Sequence, residues 1–111
     1  MSQLRDLPRS EWRSFFDGMA ATVLGKSAEI EVASLGLGDQ IVAEHVPMVG
    51  VSYDPRADRL DLMLERTSHA IEHPERVAVD ESPEGVTSIA VVDREGQRFV
   101  VTLTAPLALP E

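Results

Sequence analysis

Three ionisable side chains in the second half of the chain have the spacing of a metal site. His69, Glu72 and His73 lie in the segment HAIEH, which matches the pattern H-x-x-E-H. In zinc peptidases with this pattern, two histidines one helical turn apart bind the metal and the glutamate acts as the general base. The pattern therefore makes His69 and His73 candidate metal ligands, with Glu72 as the base of a hydrolase.

The residues around this segment disfavour such a site. Pro74 follows His73 directly and would stop a helix, whereas the chemistry needs a rigid helix, a third protein ligand and a substrate cleft. The one other histidine, His45, belongs to a different predicted element, so it or a carboxylate would have to approach the pair through folding. We therefore predict no cofactor and keep metal binding by His69 and His73 as the alternative hypothesis.

Two other groups of residues resemble ligand-binding loops but lack the required spacing. Gly36 and Gly38 do not form G-x-G-x-x-G, and a strand is predicted after them instead of a helix. Asp54, Asp58 and Asp61 lack the alternating spacing and the glycine of a calcium-binding EF-hand loop. No nucleophile-elbow sequence is present either, so we predict no catalytic residue.

The charge and the composition exclude several classes of function. Ten basic and nineteen acidic residues give a net charge of -9, which disfavours a nucleic-acid or anionic membrane partner. The carboxylates are dispersed, so an acidic mimic of nucleic acid is a third and weaker interpretation. The chain contains no cysteine, which excludes disulfides and zinc fingers. Without a membrane-length apolar run or a signal-peptide pattern, the predicted location is the cytoplasm.

An amphipathic helix is predicted from about residue 11 to residue 24. Ser10 is the predicted N-cap, and Gly25 is placed to end the helix. The apolar side chains recur at intervals of three and four residues: Trp12, Phe15, Phe16, Met19, Ala20 and Val23. We expect this stripe to cover a sheet.

Alternation of apolar and polar residues predicts strands along most of the remaining chain. They span about residues 28–34, 40–53, 59–65, 77–80, 86–93 and 97–104. The second of these is too long to be straight, so a bend near Pro47 is expected. Ser68 is read as the cap of a single helical turn that Pro74 stops. The predicted fold is α+β, in which one N-terminal helix packs on a strongly curved, mainly antiparallel sheet of about six strands in a single domain, 1–111.

Several motifs occur together, in order, along nearly the whole chain. They are EWR with FFD at residues 11–17, EIEVASL at 29–35, LGDQ at 37–40, Gly50 with YDP at 53–55, and Pro74 with VDE at 79–81. In these motifs the chain resembles a family of short bacterial proteins known only as a domain of unknown function. The resemblance implies a bacterial source and a stand-alone single domain, and it implies no activity, cofactor or catalytic residue.

Two functional hypotheses follow. The first is a small non-catalytic interaction or structural module that forms a homodimer or binds an unknown protein partner, because a one-sided sheet must protect its edges and often pairs with a copy of itself. The alternative is a small metal-binding protein or metal-dependent hydrolase that uses His69 and His73, with His45 or an acidic residue completing the metal shell. One zinc ion per chain would favour the alternative.

Overall fold

A computed structural model describes residues 3–23, 26–34, 38–82 and 85–104 of the chain. This part contains one helix and eight strands. In chain order they are β1 Gln3–Leu7, α1 Arg9–Val23, β2 Ser27–Ser34, β3 Gly38–Asp54, β4 Arg59–Leu64, β5 Ser68–Glu72, β6 Pro74–Ser82, β7 Gly85–Asp93 and β8 Arg98–Thr104. Within these ranges no helix is long and apolar enough to cross a membrane.

The strands form one open antiparallel sheet in the order β1-β6-β7-β8-β2-β3-β4-β5. The predicted α+β fold with about six strands is therefore wrong, because eight strands and a single helix make the architecture mostly sheet. The prediction lacked both end strands, β1 and β5. No strand was predicted before the helix, and the segment that forms β5 was predicted to be a single helical turn capped by Ser68.

The two missed strands carry too little alternation to be recognised on their own. Within β5, Ile71 is the one fully buried side chain, and in β1 the described apolar side chain is Leu7 at its end. Each strand forms because it pairs with a longer neighbouring strand. Ile71 pairs with Leu60 of β4, and Leu7 pairs with Val77 of β6. Pairing in the folded protein thus outweighs the weak local preference.

Strand β3 changes its partner in the middle. Up to Pro47 it pairs with β2, and from Met48 it pairs with β4. Between Ala43 and Val46 the register shifts, and β3 holds one residue more than β2. His45 lies in this bulge with a left-handed φ of 52° and an exposed side chain. The bend expected near Pro47 stays a prediction, and the change of strand partner occurs at that residue.

Helix α1 packs on β3 and β6. It begins at Arg9, and the N–H of Glu11 donates to the carbonyl oxygen of Pro8 at 2.9 Å, so Ser10 lies inside the first turn and is not the N-cap. The predicted helix end at Gly25 lies outside the described residues, as do the side chains of the last turn. Its buried side chains join one apolar core with those of the sheet: Trp12, Phe16, Met19, Ile30, Met48, Leu60, Leu62, Ile71, Val79, Ile89, Val91 and Val101.

Candidate functional site

Three polar side chains surround the carboxylate of Asp58 where α1, the β3–β4 turn and the β5–β6 junction meet. The Tyr53 hydroxyl donates to Asp58 Oδ1 at 2.7 Å, and Arg9 Nη1 donates to the same oxygen at 3.1 Å. His73 Nδ1 lies 3.3 Å from Asp58 Oδ2. Both carboxylate oxygens therefore have partners, and we call these four residues the polar cluster.

Arg9 connects the polar cluster to the helix and to β6. Its Nη2 donates to the carbonyl oxygen of Pro74 at 2.9 Å, and its guanidinium lies 4.4 Å above the Trp12 ring. Trp12 in turn meets the Tyr53 ring edge to face, with centroids 5.3 Å apart. A planar guanidinium can stack and donate hydrogen bonds at the same time, so one side chain joins elements that are distant in sequence.

The β3–β4 turn presents Asp58 to the polar cluster. Asp54 Oδ1 accepts hydrogen bonds from the N–H groups of Arg56 at 2.9 Å and Ala57 at 3.3 Å, which fixes the turn. Asp58 itself has a left-handed φ of 51°, a conformation that Asp tolerates better than most residues. Its carbonyl oxygen accepts from the N–H of His73 at 2.8 Å, so backbone and side chain both reach the β5–β6 junction.

Ionisation in the polar cluster favours a structural role. The hydrogen bond from Tyr53, followed by those from His73 and Arg9, holds the pKa of Asp58 below its ordinary value of 3.8 despite some burial. Burial, followed by the hydrogen bond to Asp58 and its charge, raises the pKa of Tyr53 above 10.0. At neutral pH the carboxylate is charged and the phenol keeps its proton, so Tyr53 acts as a donor to Asp58.

A single residue, His73, separates β5 from β6. Its left-handed φ of 52° turns the chain, and its carbonyl oxygen accepts from the N–H of Arg94 at 2.9 Å. Before this point the chain pairs with β4, and after it the chain pairs with β7 and β1. In the part of the chain that is described, β5 therefore ends the sheet with one side unpaired.

The hydrogen bonds at the two ends of the β4–β5 ladder show which residues of β5 direct their backbone groups towards β4. At one end the N–H of His73 donates to the Asp58 carbonyl, and at the other the N–H of Leu64 donates to the Thr67 carbonyl, both at 2.8 Å. Bonded and non-bonded pairs alternate along an antiparallel ladder. Counted inward from either end, the odd-numbered residues of β5 direct their backbone groups towards β4.

The even-numbered residues of β5 face outward. Ser68, Ala70 and Glu72 direct their N–H and C=O groups away from β4, and all three residues are exposed. We call this row the free edge of β5. His69 and Ile71 point their backbone groups to β4, and Ile71 buries its side chain in the core.

A cleft of about 330 Å³ lies beside the free edge of β5. One wall comes from β5 and the junction, the other from the β7–β8 turn and β8, and the main lining residues are Ala70, Glu72, His73, Arg94, Glu95 and Phe99. The turn is fixed because Asp93 Oδ1 accepts from the N–H groups of Glu95 and Gln97, both at 2.9 Å. The walls carry side chains of both charges and one aromatic ring, that of Phe99.

The predicted metal ligands His69 and His73 and the predicted base Glu72 lie in strand β5 or directly after it, and not on a helix. His69 is partly buried in β5, Glu72 is exposed at the end of β5, and His73 contacts Asp58 at the junction. A strand advances about 3.3 Å per residue, so His69 and Glu72 are about 10 Å apart along the backbone. Among the described residues, no group of three or more His, Asp or Glu is placed to hold a metal ion. Metal binding by His69 and His73 stays a prediction.

No sequence pattern predicted the polar cluster. Asp58 was considered only as part of a calcium-binding loop, which its spacing disfavours, and His73 only as a metal ligand. Arg9 and Asp58 are separated by 49 residues, and Tyr53 and Arg9 by 44. The chain's one tyrosine, beside an Asp-rich turn, was the signal that could have drawn attention to this region.

Comparison with known proteins places the chain in a family. No solved structure matches it. An uncharacterized protein of Aquifex aeolicus (strain VF5) is 33% identical over 106 residues, which cover 95% of this chain and 96% of that protein. A family model matches residues 3–111 and confirms the resemblance predicted from the motifs. The chain belongs to the family of unknown function DUF5335.

Proposed function

We propose that the protein is a small non-catalytic interaction module that binds a protein partner by strand addition at the free edge of β5. The outward N–H and C=O groups of Ser68, Ala70 and Glu72 carry this proposal. Unpaired backbone groups in a row form a template for another strand, and main-chain hydrogen bonds supply much of the affinity in such complexes.

The opposite edge of the sheet is better protected. In β1, Arg5 binds Glu81 of β6 at 2.7 Å, and Asp6 accepts from Arg76 of β6 at 3.1 Å. Charged side chains along an edge disfavour the approach of another strand. The free edge of β5 carries one charged side chain, Glu72, and so is the better template.

The polar cluster supports a non-catalytic role. Asp58 uses both carboxylate oxygens to bind Tyr53, Arg9 and His73, and Tyr53 keeps its proton at neutral pH. These bonds hold the His73 junction between β5 and β6, after which the chain leaves β4 and the free edge of β5 stays unpaired. The chain carries a net charge of -9, which disfavours binding to a nucleic acid or an anionic membrane. We therefore propose a protein partner, in the cytoplasm.

The test removes the central outward N–H group of β5, that of Ala70. Ala70→Pro removes that donor and leaves the ladder to β4 intact, because the N–H of Ala70 points away from β4. Ala70→Ser keeps the donor and serves as the matched control. We expect partners that co-purify with the wild type and with Ala70→Ser to be lost with Ala70→Pro.

Circular dichroism must show that the proline variant is folded. A second measurement needs no variant: amide exchange at Ser68, Ala70 and Glu72 should slow when the partner binds, since their N–H groups become hydrogen-bonded. Equal partner recovery with Ala70→Pro, or unchanged exchange at these three amides, would refute the proposed function.

A further inference from the structure

We infer that the free edge of β5 binds a second copy of the same chain, in an antiparallel pairing about a two-fold axis at Ala70. The inference rests on the proposed function, because it specifies the partner of that edge. It would join two open sheets into one continuous sheet across the axis.

The spacing of the outward residues is symmetric about Ala70. A two-fold axis there places Ala70 opposite the partner subunit's Ala70 and Ser68 opposite the partner subunit's Glu72. Every outward residue then meets another outward residue, and each such pair exchanges two N–H···O bonds. The pairing would form three bonded pairs.

Other positions of the axis use the free edge less completely. An axis at His69 puts Glu72 opposite Arg66, which lies before β5, and an axis at Ile71 puts Ser68 opposite Pro74, which has no N–H. With either axis, one of the three outward residues lies opposite a residue that is outside β5 or has no N–H group. Ala70 is thus the position that uses all three outward residues.

The side chains are complementary in the same register. Glu72 lies opposite Ser68, whose hydroxyl can donate to the carboxylate, and the two-fold axis repeats this contact. The small Ala70 side chain lies at the axis itself. No two like charges face each other across the strand pair, whereas an axis at Glu72 would oppose two carboxylates.

The charge of the whole chain opposes the pairing at long range. Each copy carries a net charge of -9, so two copies repel at low ionic strength. Salt screens this repulsion and leaves the backbone bonds in place. We therefore expect a concentration-dependent dimer that tightens as salt is added.

The decisive experiment changes the charge opposite Glu72. Sedimentation equilibrium would measure the dimer dissociation constant of the wild type, Ser68→Lys and Ser68→Glu. Two cross-strand pairs change at once, so Ser68→Glu should raise the constant about tenfold and Ser68→Lys should lower it by a similar factor. The double variant Ser68→Glu/Glu72→Lys restores opposite charges and should dimerise at least as well as the wild type.

Both positions are exposed, so the variants should fold, and circular dichroism checks this. A wild-type protein that stays monomeric at millimolar concentration would overturn the inference, as would a dimer with the same dissociation constant in Ser68→Glu and Ser68→Lys. These outcomes leave the proposed function standing if Ala70→Pro still loses a different partner. If Ala70→Pro loses no partner of any kind, both fail.

Discussion

His73 and Asp58 are joined twice, by a backbone hydrogen bond of 2.8 Å and by a 3.3 Å contact between Nδ1 and Oδ2. Both residues have left-handed φ angles, 52° and 51°, which for residues other than glycine cost about 1–2 kcal/mol each. The double contact offsets this strain, and the left-handed turn at His73 lets β5 and β6 pair with different neighbours.

Replacing His73 should reveal the strain at the junction. We expect His73→Gly to be more stable than His73→Ala by about 1 kcal/mol, because both lose the contact with Asp58 but glycine adopts a left-handed φ without penalty. Urea unfolding of the two variants measures the difference. Ala70→Gly is the matched control, since in the extended strand glycine should be less stable than alanine. If the free energy of unfolding of His73→Gly were equal to or lower than that of His73→Ala, the left-handed turn would be contradicted.

Stability should depend on pH through Asp58. Its pKa is lowered in the folded state, so its contribution is present above the ordinary value of 3.8 and is lost as pH falls through the folded pKa. Asp58→Asn keeps a side chain that tolerates a left-handed φ and removes the charge. We expect it to cost about 1–2 kcal/mol at pH 7, with the difference shrinking below about pH 4. Urea unfolding between pH 3 and pH 7 tests this, and a pH-independent difference would contradict it.

The ionisation of Tyr53 can be followed directly, because the chain contains one tyrosine. Burial and Asp58 raise its pKa above 10.0, so tyrosinate absorbance should appear above that pH. A raised pKa stabilises the fold below pH 10, and this contribution is lost as pH rises through the folded pKa. In Asp58→Asn the midpoint should move towards 10.0 and stay above it, because burial is the larger cause. A wild-type midpoint at or below 10.0 would exclude the described environment.

Trp12 should anchor the end of β1. Its Nε1 donates to the buried carbonyl oxygen of Leu7 at 2.9 Å. Trp12→Phe keeps an aromatic ring but leaves that carbonyl without its donor, which should cost about 1–3 kcal/mol. Thermal unfolding measures the loss, and amide exchange in β1 should rise with it. An unchanged melting temperature would show that the hydrogen bond does not stabilise the fold.

Zinc binding tests the alternative hypothesis. We expect the wild type and His69→Ala to retain the same substoichiometric zinc after buffer exchange, because His69 lies in an extended strand, not one helical turn from His73, and His73 contacts Asp58. Native mass spectrometry with and without added zinc makes the comparison. One ion per chain in the wild type, lost in His69→Ala, would establish the metal site instead.

The sequence by itself determined the elements with strong periodicity. The stripe of Trp12, Phe16 and Met19 buries one face of α1, and the alternation in β4 buries Leu60, Leu62 and Leu64. A regular repeat of apolar residues specifies which face is buried regardless of the partner. The turn at Asp54 is also determined locally, because the Asp54 side chain accepts hydrogen bonds from N–H groups within three residues.

Only the tertiary structure decided what surrounds β5. Ser68–Glu72 contains one buried apolar residue, so local preference could not distinguish a strand from a turn, and its ladder with β4 made it a strand. The polar cluster joins Arg9, Tyr53, Asp58 and His73 across contacts of up to 49 residues in sequence, which no local pattern encodes. Those contacts fix the change of chain direction at His73. Only in the folded protein does the HAIEH segment therefore become part of a free sheet edge.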